Sequence, residues 1–268
     1  MHASLTSEQI DRYRRDGFLY YPNFLDQSEV AELKDAVLAA ISTMGKRKVA
    51  GDGANLMEGD SHYDRVFTQR INLWKISDTV RRYLQARDLG RLLCELEGVP
   101  AMRVWHDQAF IKEPYANATT LHLDDPYWSF YSRHAITIWI ALEEATIANG
   151  CLCFIPGSHQ IATYDNINIG RNMDFGALMQ VYPQLAAIDP GLVPMKAGDS
   201  SFHNGLTAHG AGVNMTRQRR IAMTCAYMPD GSAFNGQQNI LPDDYFRSLA
   251  IGDILNDGQQ NPLVYAKE

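Results

Sequence analysis

Met102-Arg103-Val104-Trp105-His106-Asp107-Gln108-Ala109-Phe110-Ile111 is where the texture of this 268-residue chain changes. Before it the apolar residues fall at helical spacing. From it onward come short β-rich runs at Ala135–Ala141, Cys151–Ile155, Ser200–His203 and Arg220–Tyr227, punctuated by Gly and Pro. Runs of that length and spacing predict a mainly β protein with an antiparallel double-sheet core, a barrel or jelly roll, and the early helices packed outside.

Upstream, Thr6 and Ser7 can cap a helix through about Asp16, with Gly17 as its stop. Phe18-Leu19-Tyr20-Tyr21 then reads as a strand. A second helix begins at Asp26 or Ser28, with Val30, Leu33, Val37 and Ile41 as its apolar stripe. Residues 45 to 65 are Gly- and Asp-rich and read as a long loop, and further helices are expected near Asp78–Leu84 and Leu89–Leu96. The tail beyond Gly231 is expected to hold a helix near Asp243–Leu255 and to cover one end of the barrel. No repeat or linker divides the chain. The expectation is one domain over 1–268: a helical part to about 100, a core over about 101–230, and a tail over 231–268.

Composition narrows the partners. The chain is 46% hydrophobic and 21% charged, ordinary for a globular protein able to bury a sizeable core. A net charge of −7 argues against nucleic acid or an anionic membrane as partner. Lys46-Arg47-Lys48 is the one short basic run, and such runs are usually solvated. Cys94, Cys151, Cys153 and Cys225 lie in apolar stretches with no CxxC pair, which suits buried free thiols in a reducing, cytoplasmic setting. The polar N-terminus reads as neither signal peptide nor membrane span. A monomer or a homodimer is expected.

The chemistry concentrates in His122-Leu123-Asp124, with His209 much later and Arg220 eleven residues beyond that. On a strand, His122 and Asp124 would share a face with Cα atoms about 7 Å apart. Two imidazoles and a carboxylate can occupy one face of a non-heme Fe(II), leaving the opposite positions open. An arginine such as Arg220 can pair bidentately with a carboxylate of a metal-bound acid. Two alternatives stand beside this set. His203 rivals His209, although the Arg220 offset favours His209. Asp125 rivals Asp124, although on a strand it would face the other way. His2, His62, His134 and His159 lie in polar or turn segments, and His106 reads as a core or cavity-lining residue.

These motifs carry a family resemblance. Tyr13-Arg14-Arg15-Asp16-Gly17-Phe18, Phe110-Ile111-Lys112, Trp139-Ile140-Ala141-Leu142, Asn149-Gly150-Cys151-Leu152, Ile155-Pro156-Gly157-Ser158-His159 and Gly198-Asp199 accompany the His-x-Asp pair. His209-Gly210-Ala211-Gly212-Val213-Asn214 and Arg219-Arg220 complete the set. The chain resembles the phytanoyl-CoA dioxygenase family of Fe(II)/2-oxoglutarate-dependent oxygenases over nearly its whole length. The resemblance implies a cupin-like double-stranded β-helix core. His122, Asp124 and His209 match the family's iron ligands, and Arg220 matches the arginine for the far carboxylate of 2-oxoglutarate. It places Thr137 and Trp139 on the strand that helps wall the co-substrate pocket. Gln108 and Lys112, on one face of the preceding strand, are weaker candidates. Three protein ligands leave three positions on octahedral iron, two for 2-oxoglutarate and one for O₂. The expected outcome is succinate, CO₂ and a hydroxylated substrate. Related halogenases carry Gly or Ala where this chain has Asp124, so the carboxylate implies hydroxylation or another oxidative outcome such as desaturation.

Substrate residues are less legible. Asp125, Tyr127 and Trp128 directly follow the ligand pair and can line a pocket, or simply be core. Thr163–Pro183 is placed where a lid would sit and contributes Tyr164, Asn166 and Arg171 as candidates; Lys46–Tyr63 is the other cover. A CoA thioester would favour a broad basic surface that this acidic chain lacks. The expectation is therefore a free small molecule, a specialised metabolite. An acyl-CoA hydroxylase, a silent binding protein and a zinc-dependent cupin hydrolase are the alternatives; the intact His-Asp-His-Arg set argues against the last two.

Overall fold

A computed structural model of the chain describes residues 1–59, 66–168 and 174–267. Its elements run α1 (Ser7–Asp16), β1 (Phe18–Tyr21), α2 (Gln27–Ser42), β2 (Thr68–Ile71), α3 (Asp78–Leu84), α4 (Arg87–Glu97), β3 (Ala101–Lys112), β4 (Thr119–His122) and β5 (Ile136–Ala141). They continue with β6 (Leu152–Phe154), α5 (Ser158–Ile161), α6 (Leu178–Val181), β7 (Gly191–Val193), β8 (Ser200–Asn204), β9 (His209–Ala211), β10 (Arg220–Pro229), α7 (Asp243–Ser248) and β11 (Leu263–Ala266).

Local chemistry sets the helix ends. Thr6 caps α1 in a capping box with Gln9, and Gly17 closes it at φ 81°, a left-handed conformation glycine adopts without steric cost. Asp26 accepts from the amides of Ser28 and Glu29 at the start of α2. The tail departs from expectation: α7 stops at Ser248 rather than near Leu255. Ser248 is followed within four residues by Gly252 at φ 99°, and Asp253 turns back on Ala250. The tail's apolar residues Phe234, Ile240, Leu241 and Leu255 cluster with Trp105, Trp128 and Phe130.

Two antiparallel sheets face each other as a jelly roll. The larger runs β1-β8-β5-β10-β3-β11, with β2 also on β3, and the smaller runs β4-β9-β6-β7. Strand alternation decides what lies between them. On β10, Ile221, Met223, Cys225 and Tyr227 join a cluster with Leu33, Val37, Val80, Leu84, Leu89 and Leu92 of the helices. The intervening Arg220, Ala222 and Thr224 point the other way, toward the smaller sheet. This is why β10 is buried from Arg220 through Met228 and shows no polar–apolar alternation. Register then aligns the inward residues: Arg220 opposite Lys112, and Thr224 opposite Gln108 on one side and Trp139 on the other.

Candidate metal and co-substrate site

His122 ends β4 and His209 begins β9, and the two are directly paired across the smaller sheet. Their rings stand 4.3 Å apart. Asp124 reaches the same point by a route that differs from the sequence expectation. The strand ends at His122; Asp124 adopts a helical conformation (φ −82°, ψ −49°) and starts the short 3₁₀ turn Asp125–Tyr127. The amides of Asp124 and Asp125 both donate to the Gly205 carbonyl, which anchors that turn. One ligand atom from each of His122, Asp124 and His209 lies within 4.8 Å of the others.

The hydrogen bonds aim these atoms. His122 Nδ1 donates to Thr120 O (2.9 Å) and His209 Nδ1 to Thr207 O (3.0 Å). A carbonyl only accepts, so each neutral ring must carry its proton on Nδ1 and present the Nε2 lone pair to the site. Asp124 Oδ1 lies 3.5 Å from His122 Nε2 and 3.7 Å from His209 Nε2. Its Oδ2 accepts from Thr137 Oγ1 at 3.1 Å and His203 Nε2 at 3.3 Å. One oxygen is thereby engaged and the other turned to the imidazoles. Burial alone would raise the Asp124 pKa, but His209, His122 and His203 together hold it well below the usual carboxylate range. Burial, followed by the neighbouring His122, pushes the His209 pKa well down.

Beside the triad a cavity of about 540 Å³, counting its mouth, runs between the sheets. Gln108, Thr119, Thr137, Trp139, His203, Arg220 and Thr224 line it, together with Phe67 and Phe110. One buried cation, Arg220, lines it, and a second, Lys112, is paired opposite Arg220 on β3. Arg220 is 1% exposed; its guanidinium donates to Gly150 O and lies 5.2 Å from the Trp139 ring, while Nε has no partner. Lys112, fully buried opposite it, has no partner for Nζ, which sits 4.6 Å from the Phe67 ring. Burial drives Arg220 down to about 10; burial and then the Arg220 charge drive Lys112 down to about 7. Unpartnered buried cations are costly, and an anion between the sheets would relieve both.

A second cavity meets the first at Gln108, His122 and Asp124. Leu56, Gln69, Ile71, His106, Tyr127, Trp128, Asn239 and Ile240 form the rest of its wall. Tyr127 and Trp128 thus line this second cavity, and Leu56 brings part of the 45–65 loop there. Other candidates sit elsewhere. Asp125 is fully buried beneath the turn, accepts from Ser132 N and lines neither cavity; burial raises its pKa to about 8. Asn166 clamps the backbone of Leu123, accepting from its amide and donating to its carbonyl, so it braces the ligand pair. Tyr164 packs on Tyr131 at 4.6 Å, away from both cavities. Arg171 and His62 lie outside the described residues. Sequence reasoning missed the support given to Asp124 by His203 and Thr137, because only the β5–β8 register makes those two neighbours.

The donor set fits iron and 2-oxoglutarate: two imidazoles and a carboxylate on one face of a void, with Arg220 further in and no ion pair to it among the described residues. Comparisons with known proteins agree. Methylphosphonate hydroxylase of Gimesia maris is 26% identical over 234 residues, covering 85% of this chain and 82% of that one. The crystal structure of SnoK, a non-heme alpha-ketoglutarate-dependent carbocyclase from nogalamycin biosynthesis, matches 98% of this chain and 97% of its own at TM-score 0.79 and 25% identity. The epimerase SnoN, solved with Fe³⁺, alpha-ketoglutarate and nogalamycin RO, matches 96% of this chain and 98% of its own at TM-score 0.73 and 25% identity. Residues 13–222 match the sequence profile of the family described as phytanoyl-CoA dioxygenase. The chain belongs to the phytanoyl-CoA dioxygenase family and is a 2-oxoglutarate-dependent oxygenase that uses Fe(II) and O₂.

Proposed function

We propose that the protein oxidises a C–H bond of a small specialised metabolite, with His122, Asp124 and His209 holding the iron and Arg220 and Lys112 holding the far carboxylate of 2-oxoglutarate. The observation that carries this reading is that the cavity which begins at the triad reaches the buried Arg220, with the unpartnered Nζ of Lys112 on the neighbouring strand position opposite it. A zinc hydrolase has no use for such an anchor. When bound, iron supplies the redox chemistry that converts 2-oxoglutarate, O₂ and R–H into succinate, CO₂ and R–OH.

The chain's own residues do the rest. Thr120 and Thr207 carbonyls fix the imidazole tautomers. His203 and Thr137 fix the carboxylate, and Asn166 holds the backbone between the two ligands of the pair. Arg220 and Lys112 would hold the far carboxylate of the co-substrate, leaving its keto-acid end for the metal that His122, Asp124 and His209 would hold. Trp139, Phe67 and Phe110 keep that end of the cavity dry, which strengthens the charge pairing. Gln108 lies where the two cavities join and contacts Gln69, so it borders both co-substrate and substrate.

Anaerobic titration of the Fe(II)-loaded protein with 2-oxoglutarate, followed by the visible absorption of the iron chelate, tests the assignment. Arg220→Met removes one member of a buried charge pair, a loss of about 2–5 kcal/mol, so affinity should fall at least about thirtyfold. Unchanged affinity would contradict the anchor.

A further inference from the structure

We propose that Glu97 is a positioning residue for the iron ligands: through Asn204 it fixes the turn over residues 204–207, whose backbone carbonyls hold Asp124 and His209. This rests on the function proposed above and adds a residue that lines neither cavity.

Residues 203–207 touch two of the three ligands. His203 Nε2 lies 3.3 Å from Asp124 Oδ2, Gly205 O accepts from the Asp124 amide at 3.0 Å, and Thr207 O accepts from His209 Nδ1 at 3.0 Å. Contacts this direct pass any displacement of the turn to the ligand atoms. Two helix ends fasten the turn from behind. Gly17, which closes α1, accepts through its carbonyl from Asn204 N at 2.9 Å and from Thr207 Oγ1 at 2.7 Å. At the end of α4, Glu97 Oε1 accepts from Asn204 Nδ2 at 3.0 Å. Asn204 is buried; it also donates to Arg133 O at 2.8 Å, and its Oδ1 accepts from Leu206 N at 2.9 Å. One side chain therefore ties Glu97 to the backbone of the turn.

Glu97 stands where a carboxylate is disfavoured. It is the last residue of α4, where the helix dipole opposes negative charge, and its side chain is only 5% exposed. It contributes nothing to the helix cap, because Gly98 closes α4 with its own amide on Cys94 O. The groups that stabilise it come from other elements. The Tyr13 hydroxyl of α1 and Asn204 of β8 both donate to Oε1, and His134 Nδ1 approaches Oε2 at 3.3 Å. Hydrogen bonds to a carboxylate are stronger than those between neutral groups, so Asn204 is held more firmly than an amide or hydroxyl would hold it. A costly buried group whose partners converge on the ligand turn is explained by the precision it gives that turn.

The test is Co(II) binding to the metal-free full chain, read by the visible absorption of the bound ion and by chelator competition. Unfolding midpoints in denaturant are measured on the same preparations. Glu97→Leu should weaken Co(II) binding about three- to tenfold, less than the 10- to 100-fold expected of groups that touch a ligand. It should also shift the absorption bands, which report ligand geometry. Glu97→Gln keeps an acceptor for Tyr13 and Asn204, so it should restore the wild-type bands and most of the affinity. Tyr227→Phe is the control for stability alone: it removes a buried hydrogen bond to Leu84 O on the helix-facing side of β10. It should lower the unfolding midpoint and leave bands and affinity unchanged. Should Glu97→Leu fail to fold, Tyr13→Phe decides, with a smaller loss of affinity and a band shift in the same direction. Wild-type bands and affinity in the deciding variant, a Glu97→Gln protein no better than Glu97→Leu, or the same losses in Tyr227→Phe overturn the proposal. If the wild-type protein itself binds no Co(II), the functional reading falls and the role of Glu97 with it. If it does bind, only the role of Glu97 is lost.

Discussion

Asp124 shows how far residue-level reasoning reaches. Spacing picks it out beside His122, yet the strand alternation that favours it over Asp125 does not operate, because the strand has already ended. What separates the two carboxylates is the Gly205-anchored turn, which aims Asp124 at the imidazoles and buries Asp125 against Ser132. The orientation of Asp124 depends on His203, which no local spacing reveals. His203→Ala should therefore weaken Fe(II) binding about 10- to 100-fold, measured by chelator competition, and His203→Gln should restore part of it. Iron affinity equal to wild type would mean that His203 only fills space. Lys112 gives a pH signature. Its folded pKa of about 7 lies below the roughly 10.4 of an unfolded lysine, so between those values the unfolded chain holds a proton the free folded protein lacks. Stability of the ligand-free protein should consequently rise with pH through that window, since below about 7 the buried charge is fully present. A bound carboxylate favours the protonated amine, so 2-oxoglutarate binding takes up a proton above pH 7. Affinity should fall by up to about tenfold per pH unit there, as mass action on one proton requires, and Lys112→Met should flatten the profile in isothermal titrations.

At the scale of elements, the helix caps and most β runs were legible because their signals are local. Thr6 with Gln9, Asp26 with Glu29, and the Gly17 stop are each readable within a few residues. The expectation for α7 ran past Gly252, where the backbone turns left-handed. Asn166 reads as a recognition residue because it lies in a long stretch placed where a lid would sit; its contact with Leu123 spans 43 residues. The loop before β6 carries a sharper constraint. Gly150 sits at φ +85°, its carbonyl accepts from Arg220, and an added Cβ would lie 2.4 Å from Gly212 O. Gly150→Ala should cost about 1–2 kcal/mol from the left-handed backbone alone, with the clash adding to it. The same substitution should raise the Kd for 2-oxoglutarate, because the carbonyl that positions Arg220 moves. Denaturant titration and ligand binding on one preparation check both effects; a variant with wild-type stability and affinity would show that this loop is slack.

The whole molecule is a division of labour between faces of one sheet. The outer face of β10 and its neighbours packs on the helices, and the inner face supplies Arg220, Thr224, Gln108, Thr137 and Trp139 to the cavity. The smaller sheet contributes both histidine ligands, so the candidate iron site forms only when the two sheets close on each other. The jelly roll was readable from run length and punctuation; the pairing order was not, because β1, β5 and β10 come together from distant parts of the chain. That Arg220 lines the first cavity while no lysine or arginine among the described residues lines the second is likewise a property of the folded whole, invisible in a net charge of −7. None of the helices among the described residues is long and apolar enough to cross a membrane.

The central claim is tested most directly by succinate formation from 2-oxoglutarate under air with added Fe(II), comparing wild type with Asp124→Asn and Arg220→Met. The account predicts Fe(II)-dependent succinate from the wild type, none above background from Asp124→Asn, and recovery of Arg220→Met only at much higher 2-oxoglutarate. Wild-type protein that forms no succinate, or Asp124→Asn protein that forms it at the wild-type rate, would contradict it.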